Sequence, residues 1–117
     1  MEFSLQNGLV WERPSREVLE TALRTLAPGS DNTFAVFDLY GSVSPEFIQT
    51  ACEADGFIIE RREQEPAHHF RAIRLGTVGD RIFSVEEVIA AFHDFAYADD
   101  RTPAFIRWEN MDSEVGL

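Results

Sequence analysis

Two adjacent histidines could support a metal site or acid–base chemistry. His68 and His69 follow Glu65 and precede Arg71. Neighbouring residues on a strand point to opposite faces, so two adjacent histidines do not easily bind one ion. The chain also lacks the H-x-x-x-H and H-x-H spacings from which many metal sites are built. We therefore predict no metal ligand and interpret the histidines as residues at a strand start, one of them able to pair with a carboxylate.

Cys52 is the single cysteine of the chain, which excludes an internal disulfide. A nucleophilic thiolate requires a positive environment, whereas the neighbours of Cys52 are Ala51 and Glu53, so we interpret it as a semi-buried strand residue. The chain contains no G-x-S-x-G sequence, no glycine-rich phosphate loop and no H-E-x-x-H sequence. We assign no catalytic residue and expect no cofactor, although catalytic groups can also converge from distant positions.

A dense run of charged residues indicates a surface rather than a reaction centre. The sequence E-R-R-E-Q-E covers residues 60–65, and Arg71 and Arg74 follow on the next predicted strand. Opposite charges pair across neighbouring strands, which is typical of a solvated outer face. The alternative is a recognition surface in which arginines act as anchors between carboxylates.

Acidic residues near the end of the second predicted helix form another candidate surface. Negative charge at a helix C-terminus opposes the helix dipole, so Asp94, Asp99 and Asp100 either serve solubility or form a functional patch. Trp108 is either a packing residue at the edge of the core or an exposed anchor. The residues that we predict to bind a partner are Glu60, Arg61, Arg62, Glu63, Arg71, Asp94, Asp99, Asp100 and Trp108.

The composition favours a protein partner over nucleic acid. The chain has 21 Asp and Glu against 10 Arg and no Lys, a formal net charge of −11. Such an excess repels phosphate backbones and favours basic partners, so we expect no direct nucleic-acid binding. No stretch has the ~18 apolar residues of a membrane span, and the N-terminus lacks the pattern of a secretion signal. We expect a cytoplasmic protein.

The sequence predicts two amphipathic helices that pack against the strands carrying most of these candidate residues. The first is predicted over Pro14 to Ala27, with Pro14 in its first turn and an apolar stripe along one side. The second begins at Ser84, where Glu87 three residues later completes a capping box. Its apolar stripe ends before Asp99 and Asp100.

Short strands fill most of the space between the helices. The predicted strands are Thr33 to Tyr40, Phe47 to Cys52, Phe57 to Glu63 and His69 to Leu75, with Phe105 to Glu109 last and possible additions at Glu2 to Leu5 and Arg81 to Phe83. Their short connections favour an antiparallel meander. At 117 residues with 44% hydrophobic residues, we predict one α+β domain over residues 1–117. It has an antiparallel sheet of four to six strands with two amphipathic helices packed on one face.

This arrangement resembles a group of small bacterial proteins that are similar to the Imm1-like immunity proteins of polymorphic toxin systems. The residues that carry the resemblance are F-I-Q-T-A (Phe47 to Ala51), G-F-I-I-E-R-R-E (Gly56 to Glu63), H-H-F-R-A (His68 to Ala72), S-V-E-E-V-I-A-A-F (Ser84 to Phe92) and the pair Trp108-Glu109. The resemblance implies a toxin-neutralising protein that blocks a partner enzyme by binding. It transfers no functional residue to this chain.

Three functional hypotheses remain open. The leading one is a non-enzymatic protein-binding module, an immunity-type inhibitor whose acidic and aromatic side chains cover the active site of a basic toxin or other enzyme. The alternative is a small-ligand-binding protein or small enzyme, with a phenylalanine-lined pocket between sheet and helices and polar contacts from Glu60, His69 or Arg71. The third is a homo-oligomeric subunit joined through the sheet. The sequence predicts no oligomeric state.

Overall fold

The computed structural model describes residues 1–40, 46–63, 66–97 and 103–115, which form one antiparallel sheet of seven strands and three helices. The elements are β1 (Glu2–Leu5), β2 (Val10–Glu12), α1 (Arg16–Leu23), β3 (Phe34–Asp38), β4 (Phe47–Glu53), β5 (Gly56–Glu63), β6 (His68–Arg74), α2 (Val85–Ala96), β7 (Ile106–Asn110) and α3 (Asp112–Val115). The predicted α+β class with an antiparallel sheet is confirmed. The predicted limit of six strands is wrong.

The seventh strand comes from an N-terminal hairpin. The sheet order is β2-β1-β3-β4-β5-β6-β7, so β3 to β6 form the predicted meander and β1 and β2 extend it at one edge. β2 has three residues and follows the turn at Gly8, whose φ is +94°. A strand of three residues is too short to show clear alternation, which explains why the sequence did not reveal it.

Helix α1 is shorter than the predicted span from Pro14 to Ala27. Its N-cap is Ser15, whose Oγ accepts a hydrogen bond from the Val18 backbone N–H at 3.1 Å, so Pro14 precedes the cap. After Leu23 the chain continues in three-residue turns, in which Leu26 N–H donates to the Leu23 carbonyl at 3.3 Å. Leu26 remains buried, so the buried apolar positions continue beyond the C-terminal end of the α-helix.

Helix α2 begins as the sequence predicts. The Ser84 Oγ accepts from the Glu87 backbone N–H at 3.2 Å, and a Glu87 carboxylate oxygen accepts from the Ser84 N–H at 3.0 Å. This reciprocal capping box pairs two N–H groups that the helix itself leaves unpaired. No helix within the described ranges is long and apolar enough to span a membrane.

The hydrophobic core lies between the helices and one face of the sheet, which we call the inner face. Alternation along the strands directs Phe3, Phe37 and Ile59 to this side, where they belong to one buried cluster with residues of α1 and α2. The ring of Phe3 packs edge-on against Phe92 of α2, with centroids 6.2 Å apart. These phenylalanines are fully buried. They fill the core and do not line the pocket that the ligand-binding hypothesis expected.

The opposite side of the sheet, which we call the open face, carries the alternate residues of each strand. Near β6 it is covered in part by the C-terminal segment, since the Met111 N–H donates to the His69 carbonyl at 2.8 Å and Met111 and Ile73 are buried. Towards the other edge it is accessible. Phe34 on β3 is 43% exposed and Val10 on β2 is 52% exposed.

Candidate functional site

The charged run on β5 divides between the two faces of the sheet. Glu60 and Arg62 point to the open face, and Arg61 and Glu63 point to the inner side, because successive strand residues alternate. Arg71 lies directly opposite Glu60 on the neighbouring strand. The structure therefore brings together Glu60, Arg62 and Arg71 but not the complete run, of which residues 64 and 65 lie outside the described ranges.

The side chains of Arg61 and Trp108 contact each other on the inner side of the sheet. The Arg61 guanidinium carbon lies 4.9 Å from the centroid of the Trp108 ring and 5.7 Å from that of Phe70, and the guanidinium also pairs with Glu63. Trp108 packs partly buried against the core. The cation–π contact stabilises the packing of both side chains, and their predicted role in partner binding stays a prediction.

The predicted acidic patch of the second helix is only partly described. Asp94 lies near the end of α2, is half-buried and has an interaction partner. Asp99 and Asp100 lie outside the described residues. Because α2 packs on the inner face, Asp94 does not share a surface with Glu60, Arg62 and Arg71.

A polar row crosses the open face at Glu60. The amide of Gln49 donates to Glu60 at 3.2 Å, and His69 Nε2 lies 3.5 Å from the other oxygen of Glu60. On the far side, Arg71 donates two hydrogen bonds to one oxygen of Glu109, at 2.6 and 3.0 Å. These bonds hold the pKa of Glu109 below its ordinary value. Glu60, His69 and Arg71 thus come together, but on the face opposite α1 and α2, where Arg71 also lies 3.3 Å from Glu114 of α3.

The rings of the two histidines point to opposite faces of the sheet and contact different carboxylates, Asp112 for His68 and Glu60 for His69. His68 Nδ1 lies 2.6 Å from Asp112 Oδ2, and Asp112 Oδ1 accepts from the backbone N–H of His69 at 2.9 Å. Hydrogen bonding to His68 is the main cause that lowers the pKa of Asp112 to about 2. His68 is therefore paired with a carboxylate, as expected, and His69 lies beside a second carboxylate, that of Glu60. Within the described ranges, no group of three His, Cys, Asp or Glu side chains could hold a metal ion.

Cys52 lies on β4 and is partly buried. Burial raises the pKa of its thiol above the ordinary value, because a low-dielectric environment disfavours the thiolate. The semi-buried strand cysteine expected from the sequence is observed, and its environment opposes nucleophilic chemistry.

Three carboxylates lie side by side on the open face, and the sequence reasoning missed them. Glu2 on β1 is directly opposite Glu12 on β2 and directly opposite Asp38 on β3. We call these residues the acidic triad. The ion pairs formed by the described residues lie elsewhere, and none includes a member of the triad. Like charges directly opposite each other on neighbouring strands are destabilising.

An apolar row runs parallel to the acidic triad on the same face. Phe34, Ala51 and Ile58 are successive cross-strand partners on β3, β4 and β5. With Gln49 and Glu60 they line most of a shallow depression of about 270 Å³. The open face therefore carries the apolar row near the β4–β5 turn and the Glu60–Arg71 row beside it, with the acidic triad at the opposite end of β3.

The register of the N-terminal hairpin would have revealed one of the two pairs in the acidic triad. With the turn centred on Asn7, residues whose numbers add to fourteen face each other, which places Glu2 against Glu12. The pairing of Glu2 with Asp38 is not local, since it depends on β1 lying between β2 and β3.

No protein-family model, no curated protein and no solved structure matches the chain.

Proposed function

We propose that the chain is a non-enzymatic protein-binding module whose open face binds the basic surface of a protein partner. The acidic triad is the observation that carries this proposal. Glu2 faces a carboxylate on each side, an arrangement that costs folding stability and that a cationic partner would relieve. A module whose net charge is −11 also attracts such a partner over distance.

The apolar row supports a binding surface rather than a merely solvated one. Protein interfaces usually have an apolar, often aromatic, centre within a polar rim. Phe34 is a large aromatic side chain that remains 43% exposed, and Ile58 lies beside it across Ala51. A fitting partner presents an apolar patch flanked by Lys or Arg, with its cations against the acidic triad.

The partner class is an enzyme with a basic active-site cleft, such as a nuclease or a deaminase, and the site of action is the cytoplasm. The resemblance to immunity proteins supports this part of the proposal, together with the acidic surface. Inhibition would result from occlusion, because a sheet face that covers the cleft keeps substrate out without any chemical step. Charge complementarity would speed the encounter of the two proteins.

Capture of the partner with matched variants tests the proposal. The first variant combines Glu2→Gln, Glu12→Gln and Asp38→Asn, which removes three charges from the open face. The control combines Glu17→Gln, Asp31→Asn and Glu86→Gln, which removes three charges from exposed positions on α1, a loop and α2, away from the open face. Tagged wild-type protein and each variant are expressed in the native cells, and co-purifying proteins are quantified by mass spectrometry.

We expect the wild type and the control to retain a basic protein in stoichiometric amount, and the triad variant to lose most of it. Adding the wild-type protein to the purified partner should abolish the partner's enzymatic activity. Equal recovery by the triad variant and the control would show that the open face is not the binding surface. Recovery of no stoichiometric partner by the wild type would contradict the protein-binding function.

A further inference from the structure

A second concave site lies between helix α1 and the N-terminal hairpin, away from the open face. Its volume is about 430 Å³, within the range of about 300–1,000 Å³ that is typical of small-molecule sites. Leu5, Trp11, Val18 and Ala22 provide an apolar lining, and Asn7 and Glu17 lie at its polar border. We call this site the hairpin cleft.

The walls of the hairpin cleft are held in place by contacts outside it. The indole of Trp11 stacks on Phe3 with ring centroids 5.6 Å apart, and Phe3 is fully buried in the core. The hairpin closes through a hydrogen bond from the Leu5 N–H to the Leu9 carbonyl at 2.9 Å. On the other wall, the Ser15 cap fixes the start of α1. A preformed cleft avoids much of the ordering cost of binding.

The size of the hairpin cleft argues against a helical partner segment. An α-helix with its side chains is about 10 Å wide with a pitch of 5.4 Å, so a single turn already occupies about 400 Å³. One turn would fill the cleft and leave the rest of the helix in solvent. A compact molecule uses the same apolar lining more completely.

The negative charge of Glu17 at the hairpin cleft favours a ligand with a cationic head group. Glu17 is an exposed carboxylate at the border, and none of the residues that line the cleft is basic. We propose that the hairpin cleft binds a small amphiphile that has an aromatic or branched aliphatic body and a cationic amine head. The body packs against Trp11, Val18 and Ala22, and the amine pairs with Glu17.

Three probes with the same body and different heads test this proposal. They are 2-phenylethylammonium, 2-phenylethanol and phenylacetate, each titrated into the ¹⁵N-labelled full chain and followed by amide chemical shifts. We expect saturable shifts in α1 and the β1–β2 hairpin. The amine should bind about 1.5- to 5-fold more tightly than the alcohol, the range for an exposed ion pair, and the carboxylate should bind most weakly.

Two variants separate the head group from the cleft itself. Glu17→Gln should remove the preference for the amine over the alcohol, whereas Glu53→Gln, an exposed control on β4, should retain it. Thr21→Tyr places a large ring at an exposed helix position that lines the cleft and should abolish binding of all three probes. Shifts that map elsewhere, the absence of saturable shifts, or an amine preference that persists in Glu17→Gln would each overturn the proposal.

Discussion

At the scale of single residues, Glu87 and Asp112 are carboxylates that the fold holds in the charged form. Glu87 caps α2 and accepts hydrogen bonds from both terminal nitrogens of Arg74, at 2.8 and 3.0 Å, and these bonds are the main cause that lowers its pKa to about 2. Asp112 of α3 contacts the His68 ring and accepts a hydrogen bond from the His69 backbone N–H, both at the start of β6. Each carboxylate thus ties two separate elements of the chain together.

Acidification should destabilise the protein through these two groups. Because both pKa values are depressed to about 2, the stability they contribute is fully present above their ordinary pKa values near 4 and is lost as the pH falls towards 2. Thermal melting between pH 6 and pH 2 should show this loss. Glu87→Gln should lower the melting temperature at pH 6 and flatten the acid dependence, while Glu53→Gln should change neither. A melting temperature that is constant down to pH 2.5 would contradict the assignment.

Removing the charge of Glu2 should stabilise the protein. Glu2→Gln abolishes both like-charge pairs of the acidic triad while leaving the side-chain size unchanged, so the free energy of unfolding should rise by roughly 0.2–1 kcal/mol per pair. Urea denaturation at low ionic strength measures the gain, which should shrink as salt is added. The matched change Glu53→Gln should give a smaller effect. A loss of stability in Glu2→Gln would mean that the triad does not strain the fold.

At the scale of elements, most of the strands and the start of α2 were predictable because strand alternation and helix capping depend on residues close together in the sequence. The strands β3 to β6 alternate over five to eight residues with short connections, and the Ser84 cap has a residue-level signature, so both were predicted from sequence. The end of α1 was misplaced because Leu26 stays buried after the helix stops, and periodicity alone does not distinguish an α-helix from the three-residue turns that follow it.

Among the glycines that the structure describes, Gly56 alone has heavy atoms close to the position of an added Cβ. Its φ is +136°, and a Cβ there would lie 2.8 Å from Ile82 Cγ2 and 2.9 Å from the Phe83 carbonyl oxygen. Gly56→Ala should therefore destabilise the protein by roughly 1–3 kcal/mol and weaken the Phe57–Phe83 bridge. Gly76→Ala is the control, since Gly76 also has a positive φ but no atom within 4 Å of the added Cβ. Equal losses in urea denaturation would show that backbone strain alone is responsible.

At the scale of the whole molecule, the two faces of the sheet differ in burial and in charge. The inner face contributes to the core, and the open face combines the acidic triad, the apolar row and the Glu60–Arg71 row. The sequence predicted that the run from Glu60 to Glu63 forms one charged surface with Arg71, because a charged run is local information, and alternation along β5 places only Glu60 and Arg62 on the same face as Arg71. It missed the pair of Glu2 and Glu12, because the short strand β2 was not predicted. It missed the pair of Glu2 and Asp38, because that pair depends on β1 lying between β2 and β3, a long-range arrangement that no single segment encodes.

The salt dependence of partner association tests the binding function of the open face most directly. The association rate with the captured partner is measured at low and high salt for the wild type, the triad variant and the three-charge control. We predict that the wild-type rate falls as salt rises and that the control behaves like the wild type. The triad variant should start slower and depend less on salt. Equal rates and equal salt dependence in all three proteins would contradict an open face that recruits a basic partner.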